Sequence, residues 1–225
     1  MMKIIMSKKS FLIILTLLTL FMTACQSSPT TTVPNNSGPT PDVPNKPKET
    51  NQPVVNLSEM NHSEMKSAPN AAKEPFDLQF LDTMSEHHKS AVVMANIALT
   101  KAENAELKTF AQKIIADQSE EITQMKQWRD KWFADKPAAL NLEMSGMSDS
   151  MKGMNMKAFD SLSGKAFDLE FIKQMTAHHK GAVTMAKAAL TKAEHLEIKS
   201  MAQGIITAQE AEIEQMQTWQ KAWGK

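Results

Sequence analysis

Met84-Ser85-Glu86-His87-His88-Lys89-Ser90-Ala91-Val92-Val93-Met94-Ala95 returns 91 positions later as Met175-Thr176-Ala177-His178-His179-Lys180-Gly181-Ala182-Val183-Thr184-Met185-Ala186. Four of the chain's six histidines stand in these two copies, each pair bracketed by methionines. The offset holds without gaps on both sides of the histidines. It carries Phe76-Asp77-Leu78 onto Phe167-Asp168-Leu169, Met125 onto Met216, Trp128 onto Trp219 and Trp132 onto Trp223.

The repeated text is helical. Phe80, Leu81, Met84, His88, Ala91, Val92, Ala95 and Leu99 recur at three- and four-residue steps after Pro75, a residue suited to a helix start. Following a break at residues 102–104, Leu107, Ala111, Ile114, Gln118, Ile122, Met125 and Trp128 mark a second helix that closes before Pro137. Two long helices with a short connection fold back as an antiparallel hairpin. One hairpin cannot cover its own apolar face, and two can. The expectation is an all-α, pseudo-symmetric four-helix bundle built from residues 73–133 and 166–225.

The rest of the chain divides by composition. Residues 134–165 connect the hairpins and hold Met144, Met147, Met151, Met154 and Met156 among Ser, Gly, Asp and Asn. They read as a flexible polar loop with exposed thioethers. Residues 26–72, rich in Pro, Thr, Ser and Asn, bury too little to offset the entropy of ordering and read as a disordered tether. Met60, His62 and Met65 form a small group of soft donors near its end. In residues 1–25, Lys8-Lys9 precede an apolar run of export-signal type, too short to span a bilayer comfortably. Its ending, Met22-Thr23-Ala24-Cys25, resembles a bacterial lipobox, with Met22 in the place usually held by leucine. This predicts an exported protein of the cell envelope or periplasm, lipid-anchored to the membrane through Cys25.

Composition narrows the chemistry. Lys plus Arg (25) balances Asp plus Glu (25), and no basic stripe interleaved with aromatics appears, so nucleic acid is not an expected partner. The chain has 18 Met, no Tyr and one Cys, the Cys of the lipobox. Thioether sulfur is a soft neutral donor that selects Cu(I) or Ag(I) over Mg, Ca or Zn. It replaces thiolate where free thiols would be oxidised. Imidazole binds Cu(I) and Cu(II) alike. The candidate metal ligands are therefore Met84, His87, His88, Met94 and Met125, their repeats Met175, His178, His179, Met185 and Met216, the five connector methionines, and Met60, His62 and Met65. Neighbours on a helix lie about 100° apart, so each His-His pair divides between two faces. Spacing couples Met84 with His88 and His87 with Met94, with Met125 or Met216 as a third donor from the partner helix.

The bland alternative is that these methionines fill the core while one histidine of each pair caps or faces solvent. Trp128 with Trp132, and Trp219 with Trp223, read as an aromatic plug at one end of the bundle. His195, the counterpart of Asn104, reads as a helix cap at the hairpin turn.

Through Asp77, Phe80, Met84, His87-His88, Met94-Ala95, Gln118, Glu121-Ile122, Met125 and Trp128, the chain resembles the bacterial family catalogued as domain of unknown function 305. The resemblance covers both repeats. It implies a ferritin-like four-helix bundle, and copper or silver handling of the kind seen in exported members implicated in copper resistance. The functional expectation is a non-enzymatic envelope protein that sequesters Cu(I) or Ag(I), with Cu(II) a further ion, or passes it to a partner protein. A ferritin-like di-metal oxidase using Glu121 and Glu212 is the enzymatic alternative, although neither His pair has the Glu-x-x-His spacing such sites use. A tethered protein-interaction module is the third reading.

Overall fold

The computed structural model describes residues 65–225; Cys25, Met60, His62 and most of the tether lie outside them. Four long helices dominate: α1 (Phe76–Lys101), α2 (Ala105–Trp132), and, after two short helices α3 (Met147–Gly153) and α4 (Met156–Ser161), α5 (Gly164–Lys192) and α6 (Leu196–Trp223). α1 pairs with α2, α5 with α6, and α1 with α5, giving a four-helix bundle from two repeated hairpins. No helix among the described residues is long and apolar enough to cross a membrane.

The inner and outer helices differ in sequence for a physical reason. α1 and α5 each face a hairpin partner and one another, and α5 also receives α3, so they bury residues around most of their circumference. Val93, Met94 and Ala98 are buried although they lie off the stripe that periodicity marks. α2 buries only Leu107, Phe110, Ala111, Ile114, Gln118 and Met125, a single stripe on an otherwise polar helix.

Two aspartates tie the hairpins together. Asp168, at the start of α5, accepts hydrogen bonds from the backbone N–H groups of Glu103 and Asn104 (both 3.0 Å) beyond the end of α1. Its counterpart Asp77, at the start of α1, accepts from the N–H groups of Glu194 (3.0 Å) and His195 (2.9 Å) beyond the end of α5. α1 and α5 are therefore antiparallel, and each hairpin caps the other's turn with a buried carboxylate at a helix N-terminus, where negative charge is favoured. His195 occupies the N-cap position of α6 without supplying the cap bond. The cap comes from Asp77, to which the His195 ring also bonds (2.6 Å) while stacking on Trp132 at 3.8 Å between centroids. Replacing Asp168 by Ala strips the acceptor from two N–H groups at the start of α2. Urea unfolding should show a loss of roughly 2–3 kcal/mol; a loss below about 0.5 kcal/mol, the scale of an ordinary surface change, would contradict the cross-cap.

The connector is folded. Met144 and Met147 are buried, and Met151, Met154 and Met156 are half-buried against the bundle. This corrects the flexible loop with exposed thioethers: positions 144, 147, 151 and 154 follow helical spacing and turn toward the core. The tether's end is likewise ordered from residue 65. The Ala68 N–H donates to the Leu140 carbonyl (2.8 Å), and Ser67 Oγ accepts from the Leu142 N–H (3.0 Å). The aromatic pairs Trp128–Trp132 and Trp219–Trp223 each stack, at 5.5 and 5.0 Å. They belong to different apolar clusters, so there is a plug at each end rather than one.

Candidate functional site

The core is two apolar clusters separated by a polar layer. Along α1 one cluster takes Phe80, Leu81 and Met84 and the other Ala91, Met94, Ala95 and Ala98, with His87 and His88 between. The same division falls at His178-His179 on α5, between Gln118 and Glu121 on α2, and between Gln209 and Glu212 on α6. All four long helices thus turn polar at one height.

Every histidine of the layer is fully buried, at 0% exposure, so neither member of a pair faces solvent. The pair divides between partners. His88 Nε2 lies 2.8 Å from Glu121 Oε2 on α2, and His179 Nε2 lies 2.9 Å from Glu212 Oε2 on α6. His87 and His178 meet across the α1–α5 contact with ring centroids 3.7 Å apart. His87 Nε2 is 3.0 Å from Ser150 Oγ, and His178 Nε2 is 2.7 Å from Ser90 Oγ.

The carboxylate contacts assign one nitrogen of His88 and His179. A carboxylate only accepts, so the Nε2 atoms of His88 and His179 carry their protons. Ser90 Oγ donates its one hydrogen to the His87 carbonyl (2.6 Å), and Ser150 Oγ donates to the Gly146 carbonyl (2.6 Å). With the hydroxyl hydrogens on these carbonyls, both serines accept from the histidine Nε2–H groups. None of the four Nδ1 atoms has a hydrogen-bond partner within the protein; on His87 and His178, which burial keeps neutral, an Nε2 that donates to serine leaves Nδ1 as a bare lone pair. Gln118 Oε1 and Gln209 Oε1 are buried and unpartnered as well. A buried acceptor without a donor is costly. Six such unpartnered atoms gather at one height of the bundle.

Electrostatics keep the central rings neutral. Burial pushes His87 well below its ordinary value of 6.5, His88 and His179 push it further, and the His178 backbone opposes. His178 is lowered by burial first, then by His87, His179 and His88. For Glu212, burial raises the pKa, but the His179 bond and Lys113 together leave it below 4.5. Glu–His pairs of this kind orient a ring and raise its basicity as a ligand.

Thioethers flank the layer. Met84 and Met125 of the first hairpin share a cluster with Met185 of the second, and Met175 and Met216 share one with Met94. Grouping therefore crosses the hairpins, which spacing along one helix does not reveal. Met144 and Met147 join the first group, and Met154 and Met156 border the second. Met65 and Met151 line a surface pocket of about 270 Å³ with Leu142, Ser148 and Lys152, bringing together donors 86 positions apart. Among the described residues no three His, Cys, Asp or Glu side chains are placed to hold a metal ion. A layer site of three or more ligands must then include thioether or amide donors.

Residues 40–220 match the family described as Domain of unknown function (DUF305). The chain belongs to the DUF305 family. No curated protein sequence matches it. Among solved structures it is similar to CopM in its Cu(I)-bound form, at 39% identity and a TM-score of 0.56, covering 65% of this chain and 96% of that one. CopM in its Cu(II)-bound form gives 40% identity, a TM-score of 0.57 and coverage of 65% and 97%. A DUF305 protein from Streptomyces coelicolor gives 28% identity and a TM-score of 0.57, over 67% of this chain and 94% of that one.

Sequence reasoning found the histidines and methionines and missed what orients them. Glu121 with Glu212, and Gln118 with Gln209, were recoverable, because the offset of 91 preserves each pair. Ser150 carried no such signal. The repeat pairs Ser90 with Gly181, and a Cβ on Gly181 would meet Ser150 Oγ at 1.5 Å. The connector thus supplies from outside the repeat the hydroxyl that the second hairpin lacks.

Proposed function

We propose that the protein is a non-enzymatic binder of soft metal ions, holding Cu(I) or Ag(I), and Cu(II) after oxidation, in the histidine layer between the methionine groups. The observation that carries this reading is the set of four buried imidazoles whose Nδ1 atoms find no hydrogen-bond partner in the protein, the central pair, His87 and His178, being held neutral by burial. His87, His88, His178 and His179 would supply nitrogen, and Met84, Met125, Met185, Met94, Met175 and Met216 sulfur. Bound copper in CopM at 39% identity supports the choice of ion. Met65 and Met151, with Met60 and His62 upstream, would form a second, peripheral site. Met144, Met147, Met154 and Met156 stand in reserve at the edges of the two groups. Export and lipid anchoring through Cys25 complete the reading, which places the metal site in the envelope on a tether, from which copper is sequestered or passed to a partner protein.

The test is a Cu(I) competition titration of the full chain against a coloured chelator. Exchanging the six layer-flanking methionines for leucine conserves volume and should leave the fold intact. Affinity should fall at least tenfold, about 1.4 kcal/mol. Unchanged affinity and stoichiometry would sink the layer as the site. Iron loading with oxygen consumption would instead favour the di-metal oxidase.

A further inference from the structure

The pseudo-twofold that relates the hairpins is broken where α2 passes α6. Because α1 is antiparallel to α5, α2 is antiparallel to α6. Position 113 of α2 lies beside Glu212, and by the repeat's offset position 204 of α6 lies beside Glu121. Lys113 closes the first of these places. Its ammonium donates to Glu212 Oε1 (2.9 Å) and to Asp117 Oδ2 (2.6 Å), and the Glu212 side chain is only 10% exposed. The equivalent residue is Gly204, whose added Cβ would meet nothing within 4 Å.

An open cleft of about 630 Å³ results, lined by Asp117, Glu120, Glu121, Met201 and Gly204 among others. Glu121 forms part of its wall and is 25% exposed. Directly behind it stands His88, fully buried, bonded through Nε2 to Glu121 and with its Nδ1 unpartnered. The cleft therefore leads from solvent, through one carboxylate, to a member of the layer. Glu120 and Glu121, with Asp117 beside them paired to Lys113, favour a cation there and disfavour an anionic complex, and the Met201 thioether suits a soft ion. On the Lys113 side a fixed positive charge occupies the corresponding path.

We propose that the Gly204 cleft is the route by which a soft monovalent cation reaches the histidine layer, Glu121 passing it to His88, while Lys113 closes the matching route to His179. This rests on the layer being a metal site. Metal loading is then one-sided although the layer is nearly symmetric. Residue 204 sets the rate of filling without setting the affinity.

The experiment uses the full chain freed of metal and mixed rapidly with Ag(I), with occupancy of the layer followed through the histidine side-chain resonances and arrival timed by stopped-flow competition with a chelator. Gly204→Lys places an ammonium beside Glu121 as Lys113 does beside Glu212; open space at the site and a better helix former should keep it folded, which its thermal midpoint checks. It should slow filling of the layer at least tenfold and leave the final stoichiometry unchanged. Lys113→Ala combined with Asp117→Asn, which removes the ammonium without baring a carboxylate in the Gly204 cleft, should raise the rate by opening the second side. Filling of Gly204→Lys at the wild-type rate overturns the route, and an unaltered rate in the Lys113→Ala/Asp117→Asn variant overturns the closure. Silver that never enters the layer of the wild-type protein removes the metal reading itself, a result distinct from silver that enters at the same rate in all three proteins.

Discussion

Without bound metal, the folded state should lose stability steeply as pH falls below about 6.5, the ordinary value for histidine. The sign follows from proton uptake. In the unfolded chain His87 and His178 protonate near 6.5, while in the folded chain burial and neighbouring histidines hold both well below it. Between the two values the unfolded state binds more protons, so stability is complete above the unfolded value and declines toward the folded one. Each histidine contributes roughly 1.4 kcal/mol per pH unit, so the two together give roughly 2.7 kcal/mol per unit while both stay neutral. Glu212 adds a loss of the same sign at lower pH, because its folded value lies below 4.5 and its advantage disappears as pH falls through that value. Urea unfolding of metal-free protein at pH 7.5, 6.0 and 5.0 measures the slope. A flat profile over that range would mean the central rings are not held neutral.

The second large effect concerns two helical glycines of opposite character. Gly181→Ala should destabilise the protein by roughly 1–3 kcal/mol, the usual cost of overpacking a close contact. The added Cβ meets Ser150 Oγ at 1.5 Å and, less yieldingly, the Gly146 backbone carbonyl at 2.5 Å. Gly146 itself has a φ of +94° and would place a Cβ 2.3 Å from the Gly181 carbonyl, so the two glycines define the contact of α3 with α5 from both sides. Displacing α3 also withdraws Ser150 from His87, freeing its Nε2–H. Gly204→Ala should do the reverse and gain roughly 0.5–1 kcal/mol, since the site is open and alanine favours the helix. Thermal unfolding of both variants provides an internal control. Equal effects of the same sign would contradict the seating of the connector.

How far the sequence carried the reading depends on the period of each signal. The 91-residue offset, with helical spacing inside each copy, was enough for a bundle of duplicated hairpins, and the paired histidines located its centre. Met144, Met147, Met151 and Met154 lie among Ser, Gly and Asp, which speak locally for a loop although the connector is folded. α3 is seven residues long and owes its form to packing on α5, not to propensity. Burial of both histidines in each pair was also out of reach, because it requires α1 and α5 to be inner helices covered on more than one side. Asp77 and Asp168 stood out only as a repeated pair. Their reach into the opposite hairpin's turn depends on the antiparallel α1–α5 contact. The Lys113–Gly204 difference was visible as a mismatch in the repeat, yet its meaning needed Glu121 and Glu212 in place.

Under the proposed function a soft metal ion binds Nδ1 atoms of the histidine layer while the Nε2 atoms stay on Ser90, Ser150, Glu121 and Glu212. Long-range proton–nitrogen spectra of ¹⁵N-histidine protein, recorded during an Ag(I) titration, address it most directly. The Nδ1 resonances of layer histidines should shift on binding, with the Nε2 resonances remaining those of a protonated nitrogen. Uptake of silver with all four layer rings unmoved, or a shift confined to His195, would contradict the account.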